Sequence, residues 1–132
     1  MAKLLLVASG ARLRGWALEA REQYLARMPR GYAVECVKAA PRNACLVALD
    51  ERGREFTTAQ FAAQLSRWLA GQAPVAFVIG GPDGLDAQTR KDAELLLRLS
   101  ALTLPHALAQ VVLAEQLYRA ATRLTGHPYH RE

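Results

Sequence analysis

Apolar residues in this chain fall into short continuous runs separated by longer stretches of helical spacing, and that alternation predicts its elements. Lys3 to Ala8 is a run of strand formers that stops at Ser9-Gly10. Trp16, Leu18, Ala20, Tyr24, Leu25 and Met28 then recur at roughly helical intervals until Pro29-Arg30-Gly31 ends the pattern. Tyr32 to Val37 alternates weakly as a second strand, and Lys38 to Asn43 is a polar loop holding Pro41. Cys45 to Leu49 reads as a third strand closed by Asp50-Glu51-Arg52-Gly53. Thr57 followed three residues later by Gln60 predicts a capping box, and Phe61, Leu65, Trp68 and Leu69 form the apolar stripe of the helix behind it. A fourth strand, Val75 to Ile79, is entirely apolar and runs into Gly80-Gly81-Pro82-Asp83-Gly84. Asp86 is then expected to cap a short helix carrying Leu95, Leu96 and Leu97. Leu99 to Leu104 is expected to be a short strand or extended loop, entering a helix with Pro105 at its first turn. Strands alternating with helices predict one α/β domain with a mainly parallel sheet, whose ligand crevice lies beyond the carboxyl ends of the strands.

The glycine loop sits at that end. Glycine lets another molecule approach the backbone closely, so Gly80, Gly81 and Gly84 are candidates for a cofactor cradle; the same sequence serves equally as a plain strand-to-helix turn. A nicotinamide site is disfavoured, because the loop lacks the GxGxxG spacing and no helix starts where that motif requires one.

The last helix carries a second signal. Between His106 and Leu124 the polar residues Gln116, Arg119 and Arg123 keep to one narrow stripe, while Leu108, Val111, Val112, Leu113, Leu117, Tyr118 and Ala121 cover most of the rest. A helix apolar on so many sides needs two surfaces to bury it, which predicts a two-fold homodimer; the alternative is a central helix inside one subunit. Glu115 interrupts the apolar side at the spacing of an i,i+4 pair with Arg119.

Composition narrows the classes. At 132 residues, 52% hydrophobic and 22% charged, the chain suits a single sizeable core. A net charge of +5 points to an anionic partner, of which nucleic acid is the usual one. The N-terminal apolar run is too short for a signal peptide and no run is long enough to span a membrane, so a cytoplasmic location and no membrane partner are expected. Cys36 and Cys45 show neither CxxC nor paired-histidine spacing; no metal site is expected, and both thiols should pack as small apolar residues. The final residues, Gly126-His-Pro-Tyr-His-Arg-Glu132, set an aromatic ring beside phosphate donors, the pairing of an RNA-contacting segment.

Four ordered stretches together resemble the RlmH family of SPOUT-class methyltransferases, which act on a pseudouridine of large-subunit ribosomal RNA. They are Phe77-Val-Ile-Gly-Gly-Pro-Asp-Gly-Leu85, Leu99-Ser-Ala-Leu-Thr-Leu-Pro-His106, Val111-Val-Leu-Ala-Glu-Gln-Leu-Tyr-Arg-Ala120 and His127-Pro-Tyr-His-Arg-Glu132. The match is close from Ala76 to Glu132 and looser before it. The resemblance implies a homodimer with helices on both faces of the sheet and a C-terminal trefoil knot over about residues 75–132. It implies S-adenosyl-L-methionine as cofactor, with contacts on Leu49, Gly80 and Leu99, Ser100, Ala101, Leu102, Thr103 and Leu104. The implied reaction is methylation of N3 of a pseudouridine in 23S rRNA, on the ribosome. His130 is the candidate proton acceptor by its reference pKa, and Tyr129, Arg131 and Arg119, with His130, are candidates to grip the RNA.

Two departures stand out. The family usually carries a longer insertion with its own helix between the second and third strands, where this chain has only Lys38 to Ala44. The arginine that commonly precedes the two valines of the long helix is Gln110 here, a change expected to weaken one phosphate or interface contact. The shortened half leaves a second function class open, a catalytically silent RNA- or ribosome-binding module of the same fold.

Overall fold

The computed structural model describes residues 1–10 and 12–129. Its elements are β1 (Leu4–Ala8), α1 (Gly15–Ala26), β2 (Val34–Val37), β3 (Cys45–Glu55), α2 (Thr58–Ala70), β4 (Val75–Ile79), α3 (Ala87–Asp92), β5 (Leu95–Arg98) and α4 (His106–Thr125). The strands form one sheet in the order β2-β1-β4-β3-β5, and every pairing is parallel. β4 lies at the centre with both faces covered, which is why all five of its residues are buried and all are apolar.

Direction of travel decides which face each helix takes. The steps from β1 to β2 and from β3 to β4 run one way across the sheet, and the step from β4 to β5 runs back. Right-handed crossovers therefore put α1 and α2 on one face and α3 on the other. The larger core follows that rule: Leu4, Leu6, Val47, Phe77 and Leu97 of the sheet pack with Phe61 and Leu65 of α2 and Leu113 and Leu117 of α4. α4 also packs against α1. On the other face Leu5, Val7, Ala76 and Val78 are covered by Ala40, Ala44 and Leu85. A strap of residues 38–44 and Leu85 thus do there what longer helices do opposite. Helices lie on both faces, with unequal weight.

Local chemistry sets the ends. The Thr57 side chain accepts the Gln60 N–H while the Gln60 side chain accepts the Thr57 N–H, the reciprocal cap expected of that spacing. The Asp86 carboxylate accepts the Thr89 N–H and starts α3.

Four expectations are corrected. Leu95, Leu96 and Leu97 are strand β5 rather than the continuation of α3, because α3 stops at Asp92 and these residues pair in register with Val47, Ala48 and Leu49 of β3. β3 does not close at Asp50-Gly53: its register slips between Leu49 and Arg54, both of which pair with Leu97, and the strand resumes to Glu55. Trp16 is 65% exposed rather than part of a buried stripe, since Ala17 turns to the core instead. Cys36 is exposed. Cys45 is half-buried, and its thiol donates to Glu94 Oε2 at 2.8 Å; burial and that carboxylate push it up to about 12.

Candidate active site

The irregular middle of β3 and the loops after β4 and β5 lie together at one edge of the sheet and enclose a cavity of about 620 Å³. That is within the range of small-molecule and cofactor sites. Leu49, Gly80, Leu99, Ser100, Leu102, Thr103 and Leu104, far apart in sequence, all line it. Ala101, expected with them, is exposed and does not line it.

The glycine loop owes its shape to itself. A Cβ on Gly80 would stand 2.4 Å from the Gly84 carbonyl carbon and 2.5 Å from Leu85 N, because the loop folds back through a hydrogen bond from Gly84 N to Gly81 O at 2.8 Å. The 99–105 loop forms the facing wall. Ser100 Oγ accepts the Leu102 N–H at 2.9 Å, and Thr103 Oγ1 donates to Glu51 Oε2 at 3.3 Å, joining this loop to the irregular part of β3. Gly53 makes that joint possible, since a Cβ there would lie 2.5 Å from Leu96 O. Leu102 itself is 78% exposed.

The walls mix apolar leucines with a few fixed charges. Asp50, whose side chain is only 4% exposed, accepts the Arg52 N–H and the Arg90 Nε–H, each at 2.8 Å. The Arg52 N–H and, against the cost of burial, the Arg90 guanidinium hold this carboxyl below the usual carboxylate range. Arg98 pairs with Glu55, and its Nε is buried with no hydrogen-bond partner among the described residues. At the inner end His106 Nδ1 lies 2.8 Å from Gly80 O, and His106 Nε2 lies 3.1 Å from Gln110 Nε2. Gln110 is buried, and its Oε1 accepts from Arg21 Nη1 at 2.7 Å. Its amide is spent within the subunit rather than turned to an anion.

Of the residues assigned to RNA, Tyr129 and Arg119 do not line this cavity. Tyr129 packs on the Tyr118 ring at 4.6 Å, its hydroxyl donates to Glu115 Oε2 at 2.8 Å, and the Arg119 guanidinium lies 5.2 Å from its ring centre. Glu115 also pairs with Arg119, as their spacing predicts. Burial and the bond to Glu115 raise the Tyr129 phenol above the ordinary tyrosine range, so it stays protonated near neutrality. His130 and Arg131 lie outside the described residues. Among the described residues no three His, Cys, Asp or Glu side chains are grouped to hold a metal, and no helix is long and apolar enough to cross a membrane.

The sequence reading did not find Asp50, Arg90, Arg21 or the pairing of Gln110 with His106. The one available signal was His106 itself, placed at a helix start directly after the cavity loop.

A parallel α/β sheet with a glycine loop and a cavity beyond its carboxyl edge defines a class of cofactor-binding domain. Residues 34–130 match the family model described as "Predicted SPOUT methyltransferase". The chain belongs to the RlmH family of SPOUT methyltransferases: proteins named ribosomal RNA large subunit methyltransferase H are 44% identical in Bordetella pertussis, 45% in Burkholderia thailandensis and 47% in Paracidovorax citrulli, each match covering 98% of this chain and 99% of the relative. These alignments run over 154 residues against a chain of 132, so the relatives carry residues that this chain lacks. The fold is also that of a probable methylase family protein from Haemophilus influenzae, at 13% identity and a TM-score of 0.60 over 99% of this chain and 70% of that one.

Proposed function

We propose that the chain methylates large-subunit ribosomal RNA with S-adenosyl-L-methionine held in the strand-end cavity, and that its target is N3 of a pseudouridine in 23S rRNA on the assembled ribosome. The observation that carries this reading is the convergence of Leu49, Gly80, Leu99, Ser100 and residues 102–104 on one cavity in a chain whose relatives over nearly full length are named ribosomal RNA methyltransferases. The silent-module alternative is not favoured, because the relatives over nearly the full chain are named methyltransferases and the cavity is open.

The residues fit the cofactor. Leu49, Leu99 and Leu104 supply apolar walls for a base. The unpartnered Arg98 Nε can meet an acceptor. When bound, S-adenosyl-L-methionine supplies an electrophilic methyl group. The chain's own task is then positioning: the tight 80–84 loop and the 99–105 wall fix the ligand, and a basic surface draws in RNA. Removal of the N3 proton is assigned to His130. Tyr129, already protonated and bonded to Glu115, is unsuited to that role. A cytoplasmic homodimer and a single domain over 1–132, knotted over about 75–132, belong to the same reading; exposed Leu102 at the cavity and exposed Trp16 on α1 are apolar surface that a second subunit would cover.

The test is methyl transfer. Ribosomal large subunits lacking the modification, incubated with the purified chain and isotope-labelled cofactor, should yield a labelled N3-methylpseudouridine by mass spectrometry of digested RNA. Label absent from RNA, or found on another nucleoside, overturns the assignment.

A further inference from the structure

Three side chains connect α1, in the less closely matching half of the chain, to the glycine loop. Arg21 Nη1 lies 2.7 Å from Gln110 Oε1, Gln110 Nε2 lies 3.1 Å from His106 Nε2, and His106 Nδ1 lies 2.8 Å from Gly80 O. We propose that Arg21, Gln110 and His106 form a positioning relay that fixes the Gly80 carbonyl, so that Arg21 and Gln110, which do not line the cavity, set the strength of cofactor binding.

The direction of every bond is forced by the two ends. A guanidinium can only donate, so the amide must present its oxygen to Arg21 and its NH2 to the imidazole. Nε2 of His106 must then be the bare, accepting nitrogen. The ring proton sits on Nδ1 and is donated to Gly80 O, which can only accept. Reversing the amide or moving the ring proton brings two donors or two acceptors together beside a side chain that is 1% exposed. The relay therefore specifies a neutral, Nδ1-protonated ring. It also explains a glutamine here: an amide supplies both the acceptor Arg21 needs and the donor Nε2 needs, which no single-function side chain of that length does.

The consequence for binding follows from the loop. Gly80 is closed against Gly84 and Leu85 on one side and held by His106 on the other, leaving its peptide one orientation. Loss of the Gln110 amide frees Nε2 to take the proton, and a bare Nδ1 would face the Gly80 oxygen and push the loop away.

This inference rests on the proposed cofactor site for its functional consequence, and two readouts on the full chain keep the two separable. Long-range nitrogen–proton NMR of the histidine rings, with the His106 signals assigned by their loss in His106→Asn, should show a neutral ring protonated at Nδ1. In Gln110→Glu, where the new carboxylate can only accept, Nε2 should become protonated. Calorimetry with S-adenosyl-L-methionine should show Gln110→Leu binding roughly tenfold more weakly than the parent chain. A parent ring protonated at Nε2, an Nε2 that stays bare in Gln110→Glu, or Gln110→Leu binding as tightly as the parent overturns the relay. If the parent chain binds no cofactor, the proposed function falls, and the ring protonation alone decides the relay.

Discussion

Gly80 admits no side chain because its own loop occupies the space, and this differs from the reason its sequence suggests. Glycines after a buried strand read as room for a ligand; the structure shows the room taken by the Gly84 and Leu85 backbone, with the cavity formed alongside. Gly80→Ala should therefore lose about 1–3 kcal/mol in denaturant unfolding, and cofactor affinity should fall at least about tenfold as the wall shifts. Unchanged stability would mean that the loop yields freely. Asp50 was read as part of a turn, since nothing in a run of four polar residues shows that one is buried against an arginine forty positions away. Its carboxyl has a folded pKa below the unfolded one, so its stabilisation is fully present above about pH 4 and is lost as pH falls through the folded value. Asp50→Asn should cost about 1–2 kcal/mol at pH 7, with the gap to the parent closing in acid unfolding as pH falls below about 4. A pH-independent difference would place the loss elsewhere.

Elements with a complete local signal were legible, and those defined by their partners were not. The capping box of α2 needs only Thr57 and Gln60, and β4 announces itself as five apolar residues before glycine. β5 has no such signal: three leucines after a capped helix continue the helical pattern equally well, and only pairing with β3 makes them a strand. The slip in β3 is likewise fixed by Leu97 opposite it, two pairings away from anything local. The four-part resemblance picked out stretches that line the cavity because they are contiguous, and missed the Arg21–Gln110 link because it crosses between helices. Thr57→Ala should destabilise the fold by about 1 kcal/mol in urea, since α2 carries Phe61 and Leu65 into the main core. No change in the unfolding midpoint would show the cap to be dispensable.

At the scale of the whole molecule, strand order brings the three segments of the cavity wall together. Placing β4 and β5 on either side of β3 sets the register slip of β3 between the loops after β4 and β5, and no pattern along the chain encodes that order. The long helix was read as needing two surfaces. Within one chain it already has the sheet, α1 and α2, burying Leu113, Leu117 and Tyr118, while Leu108, Val111 and Val112 stay half-buried. Light scattering at micromolar concentration should give about twice the 14.5 kDa of the chain, and a monomer would remove the homodimer from the proposal.

The claim beneath all of these is that the strand-end cavity is where S-adenosyl-L-methionine binds. Titrating the cofactor into nitrogen-15-labelled protein and following backbone amides by NMR tests it most directly. The amides of Leu49, Gly80 and residues 99–104 should shift together and saturate at one stoichiometric site. Shifts confined to other surfaces, or none at millimolar cofactor, would contradict it.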